Sequence, residues 1–214
     1  MNNIVILCNG EFPRKAYPLY LLDSAEAVVC CDGAAVRYLR RYGGERMPEA
    51  VVGDMDSLPK KWREKLAPIA VHVEEQDDND MTKAMRYVLE HHPEVTDIHI
   101  LGATGIREDH TVGNLGLLME YTRLFDLEGI RVEMVSDYST AFAITDSCEL
   151  HVGKGRRVSL LSPDNSVTIK SEGLHWATDG VVFDNWWPAT LNRADDDIVK
   201  LTFSHPSRAL VVLD

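Results

Sequence analysis

The sequence predicts an α/β protein: a doubly wound parallel sheet in the N-terminal half, followed by an antiparallel β-sandwich. Three observations predict it. Short apolar runs alternate with helical patterns over the first two-thirds of the chain. Those runs are continuous rather than alternating, as strands covered on both faces should be. After about Ser136 the helical periodicity stops, and short strand-like runs follow one another between turn-forming segments.

The expected strands of the first half are Ile4–Cys8, Ala27–Cys31, Ala50–Val52, Ile69–Val73, Asp97–Leu101 and Ile130–Val135. Helices are expected at Lys15–Leu22, Ala34–Tyr42, Lys60–Leu66, Asp80–His91 and Asp109–Phe125. In the last, Val112, Leu115, Leu118 and Thr122 recur at helical spacing and define one apolar face. In the second half, strands are expected at Ala141–Ile144, Val158–Leu161, Val167–Ile169, Ile198–Phe203 and Ala209–Leu213. Turn material such as Gly153-Lys154-Gly155 and Ser162-Pro163-Asp164-Asn165 separates them. The change of character divides the chain into domains of residues 1–137 and 138–214 without a long linker.

Composition narrows the function. With 45% hydrophobic and 26% charged residues in 214, the chain can build a real core. No apolar stretch reaches the roughly 20 residues of a membrane helix. The N-terminus enters Ile4–Cys8 without the basic region of a secretion signal, so a cytoplasmic protein is expected. Cys8, Cys30, Cys31 and Cys148 lie in apolar runs with no C-x-x-C spacing, which reads as buried free thiols. A net charge of −12, from 34 acidic and 22 basic residues, argues against nucleic acid and anionic membrane as partners. A phosphate-bearing substrate would be repelled too, unless a metal ion bridged carboxylate and phosphate.

Four segments with chemistry each follow an expected strand, on the edge where open parallel sheets bind ligands. The first, Cys31-Asp32-Gly33-Ala34-Ala35, has small residues that let a backbone approach a ligand. In the second, Gly53-Asp54-Met55-Asp56-Ser57, an extended chain points Asp54 and Asp56 the same way, a repulsion that a hard cation such as Mg²⁺ offsets. The third runs from Glu74 to Lys83. Asn79 is the expected N-cap, Asp80 joins the carboxylate pair, and Lys83 lies one helical turn beyond Asp80. The fourth runs from Leu101 through Gly102, Gly105, Arg107, Asp109 and His110 to Asn114, a glycine-containing loop whose N–H groups and arginine suit a polyphosphate. Taken singly, each segment has a plainer reading as a turn or an acidic surface loop. In this order on one sheet edge, they point to Mg²⁺-bridged phosphoryl-type chemistry.

The ordered set resembles the thiamine pyrophosphokinase family, whose motifs are a D-G segment, G-D-x-D-S, D-Q-D-x-T-D-x-x-K and G-G-R-x-D-H-x-x-x-N. Gly173-Leu174-His175-Trp176 and Thr190-Leu191-Asn192 similarly stand near the family's G-L-x-W and S-N signatures. The resemblance implies a Rossmann-like ATP- and Mg²⁺-binding catalytic domain and a β-sandwich that binds thiamine and dimerises. It also implies a transferase that moves pyrophosphate from ATP to thiamine, giving thiamine diphosphate and AMP. Asp54, Asp56 and Asp80 match its metal positions. Asp32, Gln76, Asp77, Lys83, Arg107, Asp109 and Asn114 match positions around the nucleotide and reaction centre, with Asp77 or Asp109 as the proton acceptor. Trp176 would meet the thiamine cation through its indole face, or serve as sandwich core; the Trp186-Trp187 pair offers further indoles. Asn192 would bond the pyrimidine or build a turn. A homodimer with thiamine at the subunit interface is implied. The chain departs from the motifs at Glu75, Asn79, Ile106, Leu191 and Ser207. The competing expectations are a pyrophosphokinase for another small alcohol, such as a hydroxymethylpterin, and a non-catalytic nucleotide or thiamine sensor.

Overall fold

The computed structural model describes residues 2–55, 58–73 and 77–214, and its first half follows from the apolar runs. Strands β1 (Asn3–Leu7), β2 (Ala27–Cys31), β3 (Ala50–Gly53), β4 (Ala70–His72), β5 (Asp97–Leu101) and β6 (Arg131–Val135) alternate with helices. These are α1 (Ala16–Ser24), α2 (Ala34–Arg41), α3 (Lys60–Leu66), α4 (Asp80–His91) and α5 (Glu108–Leu124). All five residues of β2 and of β5 are buried, as strands covered on both faces require. The strands pair in parallel in the order β6-β5-β1-β2-β3-β4.

Val5 and Leu7 of β1, Val28 and Cys30 of β2 and Val51 of β3 share one core with Leu21, Leu22, Tyr38, Leu39 and Leu66 from α1, α2 and α3. Helix α4 lies against β1, β2 and β3 from the other side, where the Cys31 thiol reaches the carbonyl of Asp80 at 3.5 Å. Asn79 caps α4 as expected, its side chain accepting from the Thr82 N–H at 3.0 Å. The run Ile69–Val73 is only partly strand. Pro68 opens a 3₁₀ turn over Ala67–Ile69, and pairing begins at Ala70.

The second half contains β7 (Thr140–Ile144), β8 (Cys148–His151), β9 (Arg157–Leu161), β10 (Ile169–Glu172), β11 (Ala189–Arg193), β12 (Ile198–Phe203) and β13 (Ala209–Leu213). They form two antiparallel sheets, β11-β9-β13-β7 and β10-β12-β8. Val158 and Leu160 of β9 and Val211 of β13 meet Val199, Leu201 and Phe203 of β12 in a single core, which makes the pair a sandwich. Two of these strands, β8 and β11, carry no apolar run and were not expected. The strand expected at Val167–Ile169 lies instead at Ile169–Glu172, because Lys170 and Glu172 face solvent and break the apolar signal.

The chain groups into two units. One holds the residues up to Asn114 with Leu127–Asp137, and the other holds Leu115–Asp126 with Tyr138–Asp214. Helix α5 is therefore divided between them. Among the described residues no helix is long and apolar enough to cross a membrane.

Candidate active site

From β1 the chain winds outward through β2, β3 and β4, then returns to the opposite side of β1 with β5. The loops leaving β1 and β5 therefore diverge, and such a point opens a crevice at the carboxyl ends of the strands. Here the two loops interlock. The Gly10 N–H donates to the Gly102 carbonyl at 2.7 Å, and the Glu11 N–H donates to that of Thr104 at 2.8 Å. A Cβ on Gly10 would stand 2.3 Å from the Gly102 oxygen and 2.6 Å from that of Thr104, so only glycine fits. The Arg37 guanidinium, from α2, donates to the Gly10 carbonyl.

A cavity of about 640 Å³ opens on this edge and is walled by parts of all four motifs: Asp32, Asp54, Asp80, Lys83, Arg107 and Asn114. Gly53 brings the carboxylates together. Its φ is +148°, and a Cβ there would lie 3.2 Å from the Asp32 Cβ and 3.2 Å from Asp80 Oδ1. Burial pushes the Asp80 carboxyl above its ordinary value; Lys83 opposes the shift, and the charges of Asp32 and Asp54 add to it. The buried Lys83 ammonium stands 3.9 Å from Asp80 Oδ1 and donates to the Val73 carbonyl at 3.2 Å.

Asp56 and Gln76 lie outside the described residues, as do Ser57, Glu74 and Glu75. Among the described residues no three His, Cys, Asp or Glu side chains converge on a metal-sized point. The donor chemistry nonetheless fits a hard cation: Asp32, Asp54 and Asp80 offer oxygen only, and their mutual repulsion is what such a cation relieves.

Arg107 pairs with Asp109 through two hydrogen bonds of 3.1 and 2.6 Å, both side chains being exposed. This pairing, and the His110 N–H, hold the Asp109 carboxyl below its ordinary range and weaken it as a base. Asn114 bridges two motifs. Its amide nitrogen donates to the Ala103 carbonyl at 2.7 Å, and its oxygen accepts from Asn79 at 3.0 Å. Asp77 is exposed and does not line the cavity; its neighbour Asp78 does, and it accepts from Arg86 at 2.8 Å.

Sequence reasoning missed Asn9-Gly10, Arg37 and Asp78. The first had a readable signal: it follows β1 directly, as the four noted segments follow their strands. Arg37 also had one, lying one helical turn beyond Gly33.

The residues expected on the thiamine side lie in the second unit. Trp176, Thr178, Leu191 and Asn192 line a cavity of about 330 Å³ there. Asn192 is buried, and its amide clamps the backbone of Trp176. The oxygen accepts from the Trp176 N–H at 3.1 Å, and the nitrogen donates to the Trp176 carbonyl at 2.7 Å. Trp176 itself is 59% exposed. Trp186 and Trp187 do not line this cavity. Asn192→Ala is expected to remove both bonds, costing about 2 kcal/mol, or roughly 4–8 °C of thermal midpoint by scanning calorimetry. An unchanged midpoint would refute the clamp.

Among the described residues, three other than glycine adopt positive φ: Asp32 at 39°, Met55 at 64° and Leu191 at 59°. Each belongs to a motif segment, which is where backbone strain tends to collect.

The family model described as "Thiamin pyrophosphokinase, catalytic domain" matches residues 19–128, and "Thiamin pyrophosphokinase, substrate-binding domain" matches residues 140–210. Thiamine pyrophosphokinase 1 of Oryza sativa is 28% identical, over 92% of this chain and 82% of the rice protein. The crystal structure of thiamine pyrophosphokinase from Bacillus subtilis superposes with a TM-score of 0.76 at 18% identity, covering 99% of this chain and 98% of that one. The yeast enzyme's structure gives 0.76 at 18% identity, covering 99% and 86%. At these identities the structural likeness is one of fold.

Proposed function

The chain belongs to the thiamin pyrophosphokinase family, and from that premise we propose how its residues divide the reaction. It is an ATP-dependent transferase of the kinase type, with ATP and thiamine as substrates. The hydroxyethyl oxygen of thiamine bonds to the β-phosphorus of ATP, the bond from that phosphorus to the oxygen bridging it to the α-phosphorus breaks, and AMP leaves. The observation that carries this reading is the grouping of Asp32, Asp54, Asp80 and Lys83 around one cavity at the divergence of β1 and β5.

In this reading, residues 1–137 form the ATP-binding half and 138–214 the thiamine-binding and dimerising half. Asp54, Asp56 and Asp80 would hold Mg²⁺. When bound, that ion neutralises phosphate oxygens and polarises the phosphoryl group under attack. Lys83 and Arg107 supply fixed positive charge to the polyphosphate, and Asp32 and Gln76 orient the nucleotide. Asn114 acts by tying the loop after β5 to the cap of α4. Asp77 or Asp109 takes the proton of the attacking hydroxyl. Asp109 is held by Arg107 and Asp77 stands off the cavity wall, so both stay candidates for this role. Trp176 presents an indole face to the thiamine cation, and Asn192 positions it. We place the enzyme in the cytoplasm as a homodimer with thiamine at the subunit interface; the free thiols Cys8, Cys30, Cys31 and Cys148 accord with a reducing compartment.

The test is an incubation with ATP, Mg²⁺ and either thiamine or a hydroxymethylpterin, with the adenine product identified by chromatography. AMP formed with thiamine alone is expected. AMP with the pterin alone would transfer the reading to another acceptor, and ADP would indicate single phosphoryl transfer. No turnover with either would leave a sensor.

A further inference from the structure

We infer that Leu191 is a specificity-determining residue of this chain, held by a left-handed backbone as an apolar wall of the acceptor cavity. The inference rests on the reading that this cavity receives thiamine.

Leucine adopts a φ of 59° only against the clash of its Cβ with the backbone, whereas glycine or asparagine tolerates it. The conformation arises at a break in pairing. The register of β11 against β9 shifts between Ala189 and Asn192, and such a bulge re-aims the side chain within it. The Leu191 N–H donates to the Ser159 hydroxyl at 3.0 Å, which pins the distorted segment to β9. The next residue, Asn192, is 4% exposed and clamps Trp176, so the bulge is anchored on both sides.

On this anchored backbone the leucine side chain is 78% exposed, the most of any large hydrophobic residue among those described. The strained backbone is a penalty at this position that either glycine or asparagine would relieve. What they would remove is the isobutyl group. Leu191 borders the cavity of about 330 Å³ that Trp176 and Asn192 also line, a volume within the range of small-molecule sites. The resembling signature carries a serine hydroxyl at this place. Here the contact is apolar, and it matches the ring and methyl surface of an aromatic acceptor rather than a polar edge.

The experiment compares Leu191→Gly, Leu191→Asn and Leu191→Met with the parent enzyme in steady-state kinetics, calorimetry and size-exclusion chromatography. Glycine and asparagine should raise the KM for thiamine about tenfold, the loss of a few buried carbons. The KM for ATP should stay within twofold, the thermal midpoint should not fall, and methionine should restore the parent KM. A thiamine KM within twofold of the parent in the glycine and asparagine variants would overturn the inference. So would a rise that tracks loss of the parent's oligomeric state, because Leu191 would then be a subunit contact. A parent enzyme that forms no AMP from thiamine would overturn the acceptor reading itself, an outcome separate from an unchanged variant.

Discussion

Replacing Asp80 with asparagine is expected to stabilise the metal-free protein while lowering turnover about 1,000-fold. The carboxylate is placed at a disadvantage: burial and the neighbouring charges of Asp32 and Asp54 outweigh the attraction of Lys83. Because its pKa is raised on folding, the folded state binds more protons than the unfolded one between the ordinary and the raised value. Stability therefore falls as pH rises through that window. The asparagine variant, which has no such group, should show a higher thermal midpoint than the parent at neutral pH in chelator. The gap should close as pH drops below the ordinary carboxylate value. Adding Mg²⁺ should raise the midpoint of the parent and leave that of the variant in place. A variant with near-parent kcat would sink the assignment of Asp80. So would a variant that gains as much from Mg²⁺ as the parent does.

The second large effect is structural. Gly10→Ala would set a Cβ 2.3 Å from the Gly102 carbonyl oxygen, and the obstacle is backbone that cannot rotate away. A cost of about 3 kcal/mol is expected, which lowers the thermal midpoint by roughly 6–12 °C. Forcing apart the loops after β1 and β5 should also raise the KM for ATP, since both loops wall the cavity. Gly180→Ala is the matched control, because nothing stands within 4 Å of a Cβ at that position. If both substitutions leave the midpoint alone, the interlock does not exist in solution.

Legibility of the fold followed burial. β2, β5, α3 and α4 lie where the sequence expects them, because doubly covered strands read as unbroken apolar runs and α4 carries a recognisable cap at Asn79. β8, β10 and β11 were hidden or misplaced for the opposite reason. Cys148–His151 alternates half-buried and exposed residues, Ile169–Glu172 is mostly polar, and Ala189–Arg193 is bent by a bulge. The site was legible as a set of residue types and less so as contacts. Asp32, Asp54, Asp80 and Lys83 come together as their strands suggest. Gly10 does not announce its partner, since Gly102 lies at the end of a strand far along the chain. Whether Asp77 or Asp78 faces the cavity depends on the turn of one loop, and the sequence pattern treats the two carboxylates alike. Asn114 is expected around the nucleotide and Asn192 at the pyrimidine or in a turn; the bonds of their amides to Ala103, Asn79 and Trp176 are partners that only the folded chain reveals.

The positive φ angles of Asp32, Met55 and Leu191 have a consequence for anyone engineering this protein. A search for thermostable variants would be drawn to these positions, since glycine there relaxes the backbone at once. Each such gain would erase a side chain from a segment that, on the proposed function, meets nucleotide or acceptor. Selection on heat resistance alone would thus disarm the enzyme while appearing to improve it, and a screen that scores turnover alongside melting would reject those same hits.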